Sequence, residues 1–126
     1  MGGYKRILVV EDDTTRQIVL KDIAQKIDVL GDCYLTDNLD DAKAYIVDHD
    51  DVDLVIMGWE FPTSIANRVV EKNGEELLRF VKNCQIKAVV CSMCATELAH
   101  DPDLSGTPLV MPVPFDSLEE RIKQYL

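Results

Sequence analysis

Positive charge, long apolar runs and cysteine are all scarce in this 126-residue sequence. Lys and Arg number 13 against 23 Asp and Glu, giving a net charge of −10 at pH 7. Sequence-independent binding to nucleic acid or to an anionic membrane needs a basic surface, so neither is expected as a partner. No stretch approaches the roughly 18 apolar residues of a membrane span. The short run Ile7 to Val10 meets Glu11-Asp12-Asp13 at once, which excludes a signal peptide, and Arg6 stands where a myristoylation signal at Gly2 would need Ser or Thr. The four cysteines (Cys33, Cys84, Cys91, Cys94) are few and unevenly spaced, unlike a secreted disulfide framework, so the cytoplasm is the expected location. His49 and His100 are lone and far apart, which speaks against zinc. There is no glycine-rich phosphate loop and no nucleophile beside a base, so an enzyme is not expected.

What is present reads as a globular chain. With 47% apolar and 29% charged residues, it is long enough to bury a core without disulfides or metal, and residues 1–126 read as one domain. The acids are unevenly spread: residues 1–63 hold 14 acidic and 6 basic side chains, residues 64–126 hold 9 and 7. Most of the surplus (Asp37, Asp40, Asp41, Asp48, Asp50, Asp51) falls at expected caps, helix faces and turns. The run Asp48-His49-Asp50-Asp51 is read as a solvated turn.

Short apolar runs alternate with amphipathic stretches. Ile7–Val10, Cys33–Thr36, Asp53–Met57, Ala88–Cys91 and Leu109–Met111 read as strands, and the near-continuous apolar character of the first and third suits parallel strands buried on both faces. Between them, Ile18, Val19, Ile23 and Ile27 predict a helix capped by a Thr near Thr14. Leu39, Ala42, Tyr45 and Ile46 predict a second helix, capped by Asp37 or Asn38. Leu77, Leu78 and Val81 mark a third, opened by Asn73-Gly74. A last helix after Asp116-Ser117 carries Leu118, Ile122, Tyr125 and Leu126. Residues 60–73 read as a long irregular connection. The alternation implies an α/β fold, a parallel sheet with helices on both faces and ligands at the carboxyl ends of the strands. The residues to examine are therefore Glu11-Asp12-Asp13, Gly58-Trp59-Glu60, Ser92-Met93-Cys94 and Val113-Pro114.

Those strand ends carry a resemblance. Ile7-Leu8-Val9-Val10-Glu11-Asp12-Asp13 resembles the first strand and acidic pair of bacterial response-regulator receiver domains. Asp53 to Pro62 resembles their third strand, Val89-Val90-Cys91-Ser92 their fourth, and Val113-Pro114-Phe115 their Lys-Pro-Phe. The match runs from about Arg6 to Leu126. It implies a flavodoxin-like (βα)5 three-layer sandwich with a five-stranded parallel sheet in the order 2-1-3-4-5. By position, Glu11 and Asp12 would be the acidic pair that helps hold Mg²⁺. The backbone carbonyl of Glu60 would be a third ligand, Ser92 the hydroxyl that binds phosphate, and Val113-Pro114 a cis peptide.

The departures from that pattern carry the functional expectation. Gly58 stands at the phosphoacceptor position and Val113 at the Lys position, while Val110 replaces the aromatic that reports activation. This predicts a degenerate pseudo-receiver with no catalytic residue, a vestigial acidic pocket at Glu11 and Asp12, and no bound metal or cofactor. At most, weak residual metal affinity would remain at Glu11, Asp12 and the Glu60 backbone. Crowding of Glu11 and Asp12 predicts a raised pKa on the more buried of them.

Two segments read as remodelled. Residues 63–73 enlarge the connection after Pro62, either as a packed loop or as a lid or partner contact. Asp101-Pro102-Asp103 and Ser105-Gly106 shorten or disrupt the fourth helix. Trp59 is read as a surface-facing aromatic, or else as a cover over the space left by Gly58. Cys91 and Cys94 form a Cys-x-x-Cys whose plainer reading is packing.

The expected function is phosphorylation-independent signalling of two-component or phosphorelay type. It would act through a protein partner, a second copy of the chain in a homodimer being one candidate, with no output domain. The alternative is a redox- or small-ligand-switched sensor using Cys91, Cys94 and loop 60–73.

Overall fold

Ile7 to Val10 and Leu54 to Met57 are wholly buried, as central parallel strands covered on both faces must be. The chain is described by a computed structural model over residues 4–27, 29–65, 68–92, 100–111 and 114–126. Its strands are β1 (Tyr4–Val10), β2 (Val29–Thr36), β3 (Leu54–Met57), β4 (Glu60–Ile65), β5 (Arg68–Asn73), β6 (Lys87–Cys91) and β7 (Leu109–Val110). Its α-helices are α1 (Thr14–Lys26), α2 (Leu39–Asp48), α3 (Glu75–Asn83) and α4 (Leu118–Lys123), the last preceded by a 3-10 turn over Phe115–Ser117.

Five strands form one parallel sheet in the order β2-β1-β3-β6-β7. Counting only these five, that is 2-1-3-4-5, the flavodoxin-like order. The period-two alternation of a strand sorts its side chains between two cores. Ile7, Val9, Leu54, Ile56 and Val89 pack with Leu20 and Ile23 of α1 and with Leu118 and Ile122 of α4. Leu8, Val10, Val55, Met57 and Val90 pack with Ala42 and Ile46 of α2 and with Leu77, Leu78 and Val81 of α3. Among the described residues, no helix is long and apolar enough to cross a membrane.

Several local expectations change. Residues 60–73 are not an irregular connection: β4 and β5 pair antiparallel from Glu60–Asn73 to Ile65–Arg68, forming a separate two-stranded sheet. Helix α1 is capped by Asp13 rather than a Thr, its carboxylate accepting the Arg16 N–H at 2.9 Å. Ile18 is 68% exposed, because Leu20, Ile23 and Ala24 define the inward face of α1. Asn38 caps α2, accepting from the Asp41 N–H at 2.9 Å. Where a fourth helix would run, residues 102–106 form turns closed by Leu104 and Ser105 N–H bonds to the Asp101 carbonyl; residues 93–99 lie outside the described set. Helix α3 ends on Gln85 at φ 60°, a left-handed residue whose N–H bonds the Lys82 carbonyl.

At the amino end of β1, Arg6 gathers several partners. It donates to Asp51 Oδ1 at 2.7 Å and to the Tyr45 hydroxyl at 2.8 Å, and pairs with Asp32 at 3.1 Å. Its guanidinium also lies 5.9 Å from the Tyr45 ring centroid, and Tyr45 makes stacked contacts with Tyr34 and with His49. Asp51 is therefore not merely a solvated turn residue. Bonding to Arg6 holds its carboxyl below the ordinary aspartate value.

Candidate functional site

At the other end of β1, the backbone of Glu11 continues the sheet, its N–H reaching the Thr36 carbonyl at 3.0 Å. Its own carbonyl accepts from Gln17 Nε2 at 2.7 Å. Next to it, the Gly58 N–H bonds the Val10 carbonyl at 2.8 Å and sets the end of β3 beside the end of β1. The sheet thus delivers Glu11 and Gly58, 47 residues apart in sequence, to adjacent strand ends.

The Glu11 side chain turns inward. Only 1% of the residue is exposed. Oε2 accepts the N–H groups of Asp12 and Asp13, each at 3.0 Å, so the carboxylate closes its own loop. Oε1 lies over Gly58, where a Cβ would come within 2.7 Å of it. The Glu11 carboxyl therefore fills the space that a side chain at position 58 would take. Gly74 packs closely in the same region: a Cβ there would displace the Met57 Cε, 2.5 Å away, and would lie 3.3 Å from the Gly58 carbonyl.

The nearest cation is Arg16, from the first turn of α1. Its Nε stands 3.4 Å from Glu11 Oε1 and 4.0 Å from Asp13 Oδ2. Neither Glu11 Oε1 nor Arg16 Nε makes a hydrogen bond, and both atoms are sealed from solvent. Burial pushes the Glu11 carboxyl above the ordinary glutamate value. The Asp13 N–H and Arg16 oppose that rise, and the neighbouring Asp12 adds to it. The expected raised pKa therefore falls on the more buried acid, and burial contributes more to it than mutual repulsion.

Glu11, Arg16, Gly58, Trp59, Glu60, Cys91 and Ser92 line a cleft of about 170 Å³. Sequence reasoning had not singled out Arg16. The available signal was its position three residues after Asp13 at a helix start, where the two side chains share a face. Trp59 is not surface-facing: it is 2% exposed and packs in the core with Phe61, Leu77 and Leu78. Ser92 stays in register with β7 through its N–H to the Val110 carbonyl at 3.0 Å. Val110 is buried in the core that α1 and α4 share with the sheet. Cys91 is 2% exposed, and burial, with Glu11 nearby, pushes its thiol up to about 12. Cys94, Val113 and hence the Val113-Pro114 peptide lie outside the described residues.

Mg²⁺ requires near-octahedral oxygen ligands and keeps several of its waters. Here the Glu11 carboxylate is buried and spent on its own loop, position 58 supplies no carboxylate, and a guanidinium stands against the remaining oxygen. These residues do not fit the ion. Among the described residues, no group of three or more His, Cys, Asp and Glu is placed to hold a metal ion.

No family model and no curated protein sequence matches the chain. Solved structures do. A chain in the crystal structure of the P1 domain of CheA3 in complex with CheY6 from R. sphaeroides is similar at 18% identity and TM-score 0.68, covering 98% of this chain and 95% of that one. A response regulator from Thermotoga maritima is similar at 20% identity and TM-score 0.63, covering 95% of each chain. The co-crystal structure of the Saccharomyces cerevisiae phosphotransfer protein Ypd1 with the receiver domain of Ssk1 matches at 15% identity and TM-score 0.64, covering 99% of this chain and 90% of that one. The chain has the fold of response-regulator receiver domains.

Proposed function

We propose that the chain is a receiver-like module of two-component-type signalling that works by binding a protein partner and takes no part in phosphoryl transfer. One observation carries this reading. Where an acceptor side chain would rise from the end of β3 there is Gly58, and the Glu11 carboxyl already occupies the space above it. An in-line transfer needs a nucleophilic oxygen at that point and a cation to offset charge on the phosphoryl oxygens. The oxygen nearest that point belongs to the buried Glu11 carboxylate, which is engaged with two backbone N–H groups. Support for a partner-binding role comes from the neighbours described as complexes, CheA3 P1 with CheY6 and Ypd1 with the Ssk1 receiver. On this reading the module is not an enzyme.

The thiol-switched alternative has less behind it, since a buried thiol with a raised pKa is a poor nucleophile. A small ligand entering the cleft would find Glu11 Oε1 and Arg16 Nε sealed. The test is incubation with Mg²⁺ and acetyl phosphate, read by intact mass. No acid-labile adduct is expected, and a stoichiometric one would sink the proposal.

A further inference from the structure

Three consecutive acids, Glu11-Asp12-Asp13, crowd the loop between β1 and α1. Such a loop needs positive charge close by, and the residues around it do not suit a metal ion. We infer that the Arg16 guanidinium serves as the built-in counter-ion of this loop, in the place where the fold family uses a divalent cation.

The geometry fixes Arg16 for that task. Its backbone N–H is held by the Asp13 carboxylate at 2.9 Å, which sets the first turn of α1 against the loop. From there its side chain, about two-thirds buried, reaches back to Glu11 and Asp13 at 3.4 and 4.0 Å. The Gln17 amide, one residue further on, ties the Glu11 carbonyl to the same turn at 2.7 Å. The contact between Arg16 Nε and Glu11 Oε1 has no hydrogen bond, so it acts through charge. A tethered cation loses no translational freedom on taking up its post, and its charge repels any second cation from the same oxygens. Arg16 is thus a positioning residue: it acts on Glu11 and the loop and touches no substrate. The inference goes beyond the proposed function and stands apart from it, because it concerns cation binding and needs no phosphoryl chemistry.

The experiment adds Mn²⁺ to isotope-labelled protein and follows broadening of the Asp12, Asp13 and Thr14 amide signals. Thermal unfolding is compared with and without about 10 mM Mg²⁺ at matched ionic strength. The wild-type chain is expected to show no selective broadening and no Mg²⁺-dependent shift. Arg16→Gln exposes the loop carboxylates to metal, so it should broaden selectively and gain about 3–5 °C in Tm with Mg²⁺. Arg16→Lys keeps the charge and should behave as wild type, an outcome that mere loss of packing would not give. Selective broadening in the wild-type protein overturns the inference, and so does a folded Arg16→Gln variant that ignores both ions. The wild-type arm decides even if Arg16→Gln fails to fold. The phosphodonor experiment reads a covalent adduct, so the two failures are distinguishable.

Discussion

Arg6 near the amino end of β1 and Glu11 just past its carboxyl end are built into the fold on opposite plans. At the amino end, Arg6 is shared among Asp51, Asp32 and the Tyr45 hydroxyl, with an aromatic face beneath it. At the carboxyl end, Glu11 is almost wholly buried, and one of its oxygens has an ion-pair partner but no hydrogen bond. Polar groups that satisfy one another rigidify a fold, whereas a buried charge left partly unpaired is costly. The Arg6 end serves stability. The Glu11 end spends some of it at the strand ends, where this fold class places its sites.

That contrast can be broken most severely at Gly58. Gly58→Ala drives a methyl group onto Glu11 Oε1 and should destabilise the chain by about 2–3 kcal/mol in denaturant unfolding. Combined with Glu11→Ala, which empties the space, the two effects should fall short of their sum by about 1 kcal/mol or more. Strict additivity would mean the two residues are not in contact.

Glu11→Gln sharpens the contrast through pH. Because the folded state raises the Glu11 pKa, folded protein holds its proton where the unfolded chain has lost it. Stability therefore falls as pH rises from the ordinary glutamate value through the raised one, and it stays reduced above. The amide removes that loss while still accepting the two loop N–H bonds. The variant should be more stable than wild type at neutral pH, with the gain vanishing below the ordinary glutamate value. Equal stability profiles across that range would remove the Glu11 half of the comparison.

The smallest expected effect is at the other end and has the opposite sign. Arg6 lowers the Asp51 pKa, so that pair stabilises the fold above the ordinary aspartate value and is lost as pH falls through the lowered one. Arg6→Met should lower Tm at neutral pH, and the gap from wild type should close in acid. A gap that persists unchanged in acid would show that Arg6 contributes by packing rather than by charge.

Much of the fold was legible because strands buried on both faces declare themselves as apolar runs, as at Ile7–Val10 and Leu54–Met57. The hairpin was harder. Its sequence carries a signal, the β-branched residues Thr63, Ile65, Val69 and Val70 around Ala66-Asn67, but Pro62 and the mixed charges mask it. Trp59 was misplaced because an aromatic at a strand end can face either way until its neighbours are known; Phe61 and α3 supply them. Glu11, Gly58 and Ser92 could be placed at strand ends from local motifs. That Glu11 would fold over Gly58 could not, since the contact spans 47 residues and depends on side-chain direction. Arg16 sat in plain view three residues from Asp13, yet its task becomes visible only once Glu11 is seen to be buried.

The contact between Glu11 and Gly58 also constrains which single mutations this sequence can explore. A carboxylate introduced at position 58 by one substitution would arrive in occupied, already negative space, and would be rejected for both reasons. Replacing Glu11 first by a residue that cannot accept hydrogen bonds leaves the loop N–H groups of Asp12 and Asp13 without their acceptor. What position 58 can hold is therefore set by what stands at position 11, 47 residues earlier.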